Sequence, residues 1–230
     1  MSGSSLRLCT WSGIVACILL GIGLYPLLQF VPPPLPSASA AEIAAIYRGN
    51  SLGILIGATL MLASGSLYAP FYAAISSEME RIEGIGSPLA KAQMLLGVLA
   101  VCVPVSVAAD AWMIAAFRDH SDETIQTLND FGWFLFFTPV VPGLLNAIAI
   151  AVAIFHDKSA NPTFPRWVAF ANIWIGILFL PGVMLAFFKT GPFALNGIFV
   201  FWLGTGAFAV WFVIMTRYLL RAARNRMEHP

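Results

Sequence analysis

Apolar positions fall into six long blocks, at about 10–31, 51–75, 92–117, 131–155, 167–188 and 197–219, separated by shorter stretches that hold most of the charges, prolines and glycines. A helix needs about 20 apolar residues to cross a bilayer core. Each block meets that length. The pattern predicts an all-α, polytopic membrane bundle of six transmembrane helices, with residues 1–230 forming a single integral membrane domain.

The basic residues orient it. Cytoplasmic segments of membrane proteins are rich in Lys and Arg. With the N-terminus inside, the inner segments hold Arg7, Arg81, Lys91, Lys158, Arg166, Arg217, Arg221, Arg224 and Arg226, and the outer ones only Arg48, Arg118 and Lys189. Both termini are therefore expected in the cytoplasm. The first block follows Arg7 and could be mistaken for a secretory leader, but it is longer than the 7–15 residues of such a core, and Ala38-Ser39-Ala40 lies far beyond it. It is read as a mature helix.

Between the first two blocks, Val31-Pro-Pro-Pro-Leu-Pro36 predicts a stiff polyproline segment. Ser39-Ala-Ala-Glu42 fits a capping box that opens a short surface helix with Ile43, Ile46 and Tyr47 on one face. Gly13, Cys17 and Gly21 form a ridge of small residues along the first helix, and Gly53 and Gly57 form a second in the next. Small residues let helices approach closely, so Gly53 and Gly57 are a candidate face for a homo-oligomer or another membrane protein. Ser76 to Glu83 reads as a solvated, amphipathic helix end, closed by Gly84 and Gly86. Pro26, Pro70, Pro104, Pro139, Pro142 and Pro181 lie in or at the edge of five of the six blocks. Each frees a carbonyl that needs another partner, which predicts an irregular bundle with a cavity. Three helices lead and three follow, an arrangement open to an inverted repeat, but the two halves share no matching sequence.

Composition narrows the function classes. The chain is 59% hydrophobic and 10% charged, where ordinary globular chains are roughly 25% charged. A net charge of +1 argues against nucleic acid. Cys9, Cys17 and Cys102 lie in or beside apolar blocks and read as small packing residues with no disulfide framework. His120, His156 and His229 sit at block ends, so neither a bis-histidine haem nor a three-histidine metal centre is expected. Lys189 lies at a block end, not mid-helix where a retinal-type Schiff base would need it. No serine-hydrolase elbow, zinc-protease or phosphate-loop motif is present. No cofactor or metal is expected.

Candidate chemistry centres on Asp110. It is the one acid inside the third block, seven residues before Phe117 and thus roughly 10 Å below the outer helix end. A carboxylate at that depth reads as a proton, cation or catalytic site facing protein or water, or as a carboxyl bonded to a neighbouring helix. Asn146, Asn172 and Trp112 are its candidate partners, and Trp133 and Trp174 belong to aromatic helix ends that could line a pocket. Asp119, His120, Asp122 and Glu123 could ligate a divalent cation, but their spacing matches neither a calcium loop nor a zinc motif. Ser121 as a helix cap, with Asp122 and Glu123 in its first turn, explains them better.

Ser39-Ala-Ala-Glu-Ile-Ala-Ala-Ile-Tyr-Arg48, Phe164-Pro-Arg-Trp167 with Asn172-Ile-Trp174, and Phe187-Phe-Lys-Thr-Gly-Pro-Phe-Ala-Leu-Asn-Gly197 resemble elements of a family of small six-helix bacterial integral membrane proteins. The resemblance spans most of the chain. It implies a bacterial cytoplasmic membrane and the same topology, and it carries no activity to transfer.

The sequence thus predicts a protein of the bacterial inner (plasma) membrane. Its expected role is binding or transport of a small, largely apolar molecule, or service as the membrane subunit of a complex that handles one, with Asp110 as the polar anchor. An enzyme acting on a lipid or isoprenoid, with Asp110 as general acid, is the second reading. A structural assembly subunit is the third. In a background without the native cysteines, thiol labels at Ser121→Cys and Asn225→Cys are expected to react from opposite sides of the membrane. Labelling of both from one side would refute the six-span topology.

Overall fold

Serine side chains open three of the helices. Ser2, Ser39 and Ser121 each accept a hydrogen bond from the amide three residues on, at 3.2, 3.3 and 3.4 Å, satisfying a donor that the first helical turn leaves free. At Ser39 the capping box is complete, because Glu42 returns its carboxylate to the Ser39 amide at 2.7 Å. The computed structural model describes residues 1–228 apart from Glu83 and Ile85; the sequence readings of Glu83 and His229 lie outside the described residues. The chain forms α1 Gly3–Leu27, α2 Ala40–Gly49, α3 Ser51–Met79, α4 Ser87–Phe117, α5 Asp122–His156, α6 Arg166–Ala186 and α7 Ile198–Glu228. All except α2 are long and apolar enough to cross a membrane. No strand occurs among the described residues.

Several helix ends lie beyond the apolar blocks, as where α1 opens at Gly3 and α7 runs to Glu228, and two boundaries have a clear local cause. α5 begins at Asp122, well before its apolar block, because the Ser121 cap and the acids of the first turn turn the charged segment into helix. α3 stops at Met79 rather than continuing to Glu83, and Gly84 beyond it adopts a φ of 84°.

The six long helices follow one another around a ring, each beside its successor, and α7 closes against α1. Apolar helices gain little by meeting in lipid, so close packing and interhelical hydrogen bonds must hold such a ring. The structure supplies a polar tie at most joints. Ser64 of α3 donates to the Ala16 carbonyl of α1 at 2.8 Å, and Ser76 of α3 to the Ala90 carbonyl of α4 at 2.9 Å. Gln93 of α4 donates to Asn146 of α5 at 3.0 Å. Trp211 of α7 donates to Asn172 of α6 at 2.8 Å. Glycine does the rest: a Cβ at Gly13 would overlap the Phe71 ring, and one at Gly176 would meet Leu144 at 2.9 Å.

Gly53 and Gly57 are engaged inside the chain. A Cβ at Gly57 would lie 3.0 Å from the Gly23 carbonyl oxygen, and one at Gly53 2.7 Å from that of Leu27. Their ridge receives the end of α1, which gives the two glycines a role without a second chain. α2 lies across the ring at the end away from the termini. Ile43 and Tyr47 are buried there, and the Tyr47 hydroxyl donates to Asn129 Oδ1 at 3.2 Å. Ile46 sits at the rim of this contact, 40% exposed, because Ile43 and Tyr47, one turn apart, already fill it.

One arginine fastens each end. At the far end Arg48 pairs with Asp122 at 2.8 Å and Asp119 at 3.6 Å and donates to the His120 carbonyl at 3.0 Å. These groups are largely exposed, and such pairs contribute about 0–1 kcal/mol. At the terminal end Glu78 is buried, contrary to the reading of that segment as a solvated helix end. Its carboxylate accepts from Arg226 of α7 and, at 2.9 Å, from Thr163 in the α5–α6 connection. Arg226 also donates to the Met1 carbonyl at 2.9 Å. Removing one partner of a buried pair strands the other and costs about 3–5 kcal/mol, whereas replacing both by apolar residues is often neutral. Arg226→Leu is therefore expected to lose about that much stability in detergent denaturation, and adding Glu78→Leu should recover most of it. If the double variant is no more stable than the single, the pair does not act this way.

Candidate functional site

Five of the six long helices lose regular α-helical hydrogen bonding at some point. α1 ends in a π-helical turn, Gly23–Leu27, around Pro26. α4 has a π-helical turn at Val98–Cys102, just before Pro104. α5 is interrupted at Thr138 and Pro139. α6 tightens into a 3-10 helix over Leu180–Ala186, and α7 opens with a π-helical turn at Ile198–Trp202. These are nearly the elements that the prolines marked, with one exchange. Pro70 stands in an unbroken α3, and the turn in α7 has no proline.

All five interruptions face one cavity of about 510 Å³. Leu24, Ala100, Pro139, Gly182 and Val200 each bring one of them to its wall. Gly182 is required where α6 crosses α5, since a Cβ there would lie 2.7 Å from the Phe137 carbonyl oxygen. π-Helical turns recur at functional sites because they redirect side chains and free backbone groups.

Two aromatic clusters bound the space. Toward the far end, Phe136, Phe137 and Phe201 line the cavity. Behind them Trp133 stacks on Phe137 at 6.0 Å and meets Trp112 at 4.7 Å. A Cβ at Gly132 would overlap the Trp112 indole, so glycine admits the ring there. Toward the terminal end, Tyr72, Phe208 and Trp211 line the wall, with Trp211 stacked on Tyr72 and on Phe208 at 6.0 Å each.

Polar groups in this wall are few. Asn146 lines the cavity and accepts from Gln93, whose own Oε1 is buried with no hydrogen-bond partner among the described residues. Tyr25, Tyr72 and Thr205 bring hydroxyls to the same wall, beside the indoles of Trp202 and Trp211. The cavity opens sideways between α1 and α7, where Gly21, Tyr25, Trp202, Thr205 and Gly206 are both wall and exposed surface. A Cβ at Gly21 or Gly206 would meet nothing within 4 Å. At the opposite end the same two helices close tightly, and a Cβ at Gly3 would lie 2.9 Å from the Ala223 carbonyl oxygen.

The residues singled out in the sequence separate. Asn146 is at the cavity. Trp112 and Trp133 form the second layer of its far wall; Trp112 donates to the Asn129 carbonyl at 3.3 Å, and the Trp133 Nε1 is buried without a partner among the described residues. Asn172 is buried beneath Trp211 and is occupied in holding it. Trp174 is 64% exposed and points outward with Trp167 and Phe170.

Asp110 corrects the main expectation. It is exposed on the outer surface of α4, lines no part of the cavity and meets neither Asn146 nor any other hydrogen-bond or ion-pair partner among the described residues. Val103, Ile114 and Phe117 share its side of the helix and are likewise exposed. The inward face of α4 is made of Ala108, Ala109 and Trp112, and the helix is apolar all round, so its periodicity does not show which face turns in. Sequence reasoning missed Tyr72, Gln93, Phe208 and Trp211. Gln93, an amide near the start of an apolar block, was the available signal. Asp119 and Asp122 are taken up by Arg48, and no group of side chains suited to a metal ion occurs among the described residues.

No protein-family model, no curated protein and no solved structure matches this chain.

Proposed function

We propose that the chain is a multi-pass protein of the bacterial plasma membrane, with both termini cytoplasmic, and that it binds or passes a small, largely apolar molecule taken directly from the bilayer. The cavity carries this reading. Its volume of about 510 Å³ falls within the roughly 300–1,000 Å³ of small-molecule sites, which are typically apolar with a few placed polar groups. The opening between α1 and α7 lies on the side of the bundle, where a bilayer would supply lipid-soluble molecules and exclude ions. Aromatic rings above and below suit a flat or chain-like apolar body, and Asn146, held by Gln93, would take its one polar end. The twelve Lys and Arg, nine of them at the end that holds the termini, support the orientation.

Asp110 lies outside the cavity, so the lipid-modifying enzyme with this residue as general acid has no support from the geometry. The polar anchor passes to Asn146.

The opening supplies the test. Gly206→Trp puts a large ring into open space and should leave folding intact, as read by thermal unfolding in detergent. Wild-type protein, purified and extracted with organic solvent, is expected to release a lipophilic molecule in near-stoichiometric amount by mass spectrometry. The Gly206→Trp protein should release several-fold less. Equal release from both would overturn the lateral route, and a wild-type extract containing only bulk membrane lipid would overturn the binding role.

A further inference from the structure

Asp110 poses a problem that the cavity does not solve. Charged residues within membrane helices almost always face the bundle interior or a partner, because lipid cannot solvate them. Asp110 is exposed, roughly 10 Å below the end of α4, and its side chain is too short to reach the surface from there. The neighbouring exposed residues of α4 are apolar: Val103, Ile114 and Phe117. Toward α3, Ser106 packs where Gly65 leaves room, and Thr59, Ala63 and Ser66 of α3 are exposed. The outward face here therefore mixes small and hydroxyl residues, which admit a helix closely, with the apolar Leu52, Ile56, Val103 and Ile114, and carries one unpaired acid.

We propose that this outward face of α3 and α4 docks a transmembrane helix of a different membrane protein, one that carries Lys or Arg at the depth of Asp110. Charge complementarity selects the occupant. The nearest Lys or Arg to Asp110 along the chain is Arg118, eight residues away and just past the end of α4, and Arg217, the one deepest inside α7, is 19 residues from the Ile198 end of that helix. A second copy packed through the same face would set Asp110 against Asp110 and bring no cation to that depth. The inference rests on the membrane reading of the six helices.

A single-span leucine–alanine peptide with one lysine placed to match Asp110 serves as the probe, beside an all-apolar version, in vesicles containing the full-length protein. Energy transfer between labelled peptide and protein is expected to show association of the lysine peptide with wild type about tenfold stronger than with Asp110→Leu. An Asp110→Lys variant should reverse the preference toward a peptide bearing aspartate. Because Asp110 is exposed and unpaired, Asp110→Leu should unfold at the same temperature as wild type. Equal association of both peptides with both proteins would overturn the proposal. So would concentration-dependent self-association that is lost in Asp110→Leu, which would show a second copy instead. Thiol labelling of Ser121→Cys and Asn225→Cys in the same vesicles reads insertion separately, so failed membrane spanning is distinguished from a failed docking site.

Discussion

An interrupted helix leaves backbone carbonyls and amides without their usual partners, and hydrocarbon offers none in return. For six helices long and apolar enough to cross a membrane, that constraint would organise the bundle. Five of its six long helices are interrupted, and in a bilayer the freed groups could be tolerated only against protein or a cavity. The ring arrangement meets the requirement by turning every interruption toward one space. The same interruptions keep the helices from packing to the axis at that level, so the cavity and the breaks have a common origin. α3, the one uninterrupted long helix, contributes only Tyr72 to the wall and serves instead as the rail against which α1 and α4 pack.

The polar inventory divides by position. Several groups between helices are paired, with Ser64, Ser76, Asn172 and Trp211 each closing a joint, while the Tyr68 hydroxyl, Gln93 Oε1 and Trp133 Nε1 are buried without a partner among the described residues. Groups at the ends are clasped by arginine, through exposed pairs at Arg48 and a buried pair at Arg226. The two clasps differ in consequence, since only the buried one would leave an uncompensated charge if broken. It ties the first residue to the last helix and so closes the ring at the terminal end, while the α1–α7 joint stays open at the far end. Rigidity at one end and an opening at the other suit a site reached from the side.

Much of the framework was legible in the chain. Block length marked the six long helices, and the Ser39–Glu42 spacing marked α2 together with its capping geometry. The prolines pointed to an irregular bundle, though Pro70 lies in regular helix and the π-helical turn of α7 has no residue signature. The site was legible only in part. Asn146, singled out in the sequence, lies in the cavity wall, and Trp133 lies behind it, but Trp174 faces outward. The inward phase of α4 was not legible, because a helix with apolar residues on every face has no polar side to mark its outside. Glu78 looked like one of several exposed acids, and its partner Arg226 lies 148 residues away, beyond any local pattern.

The account stands on the cavity being a site for an apolar molecule and not a packing defect. A high-resolution structure of the protein purified in lipid nanodiscs tests that most directly. The account predicts continuous, elongated density between the ring of Phe137 and those of Tyr72 and Trp211, reaching Asn146 at one end and the gap between α1 and α7 at the other. A cavity filled with ordered water, or one collapsed so that Gly21 and Gly206 lie in contact with neighbouring helices, would contradict it.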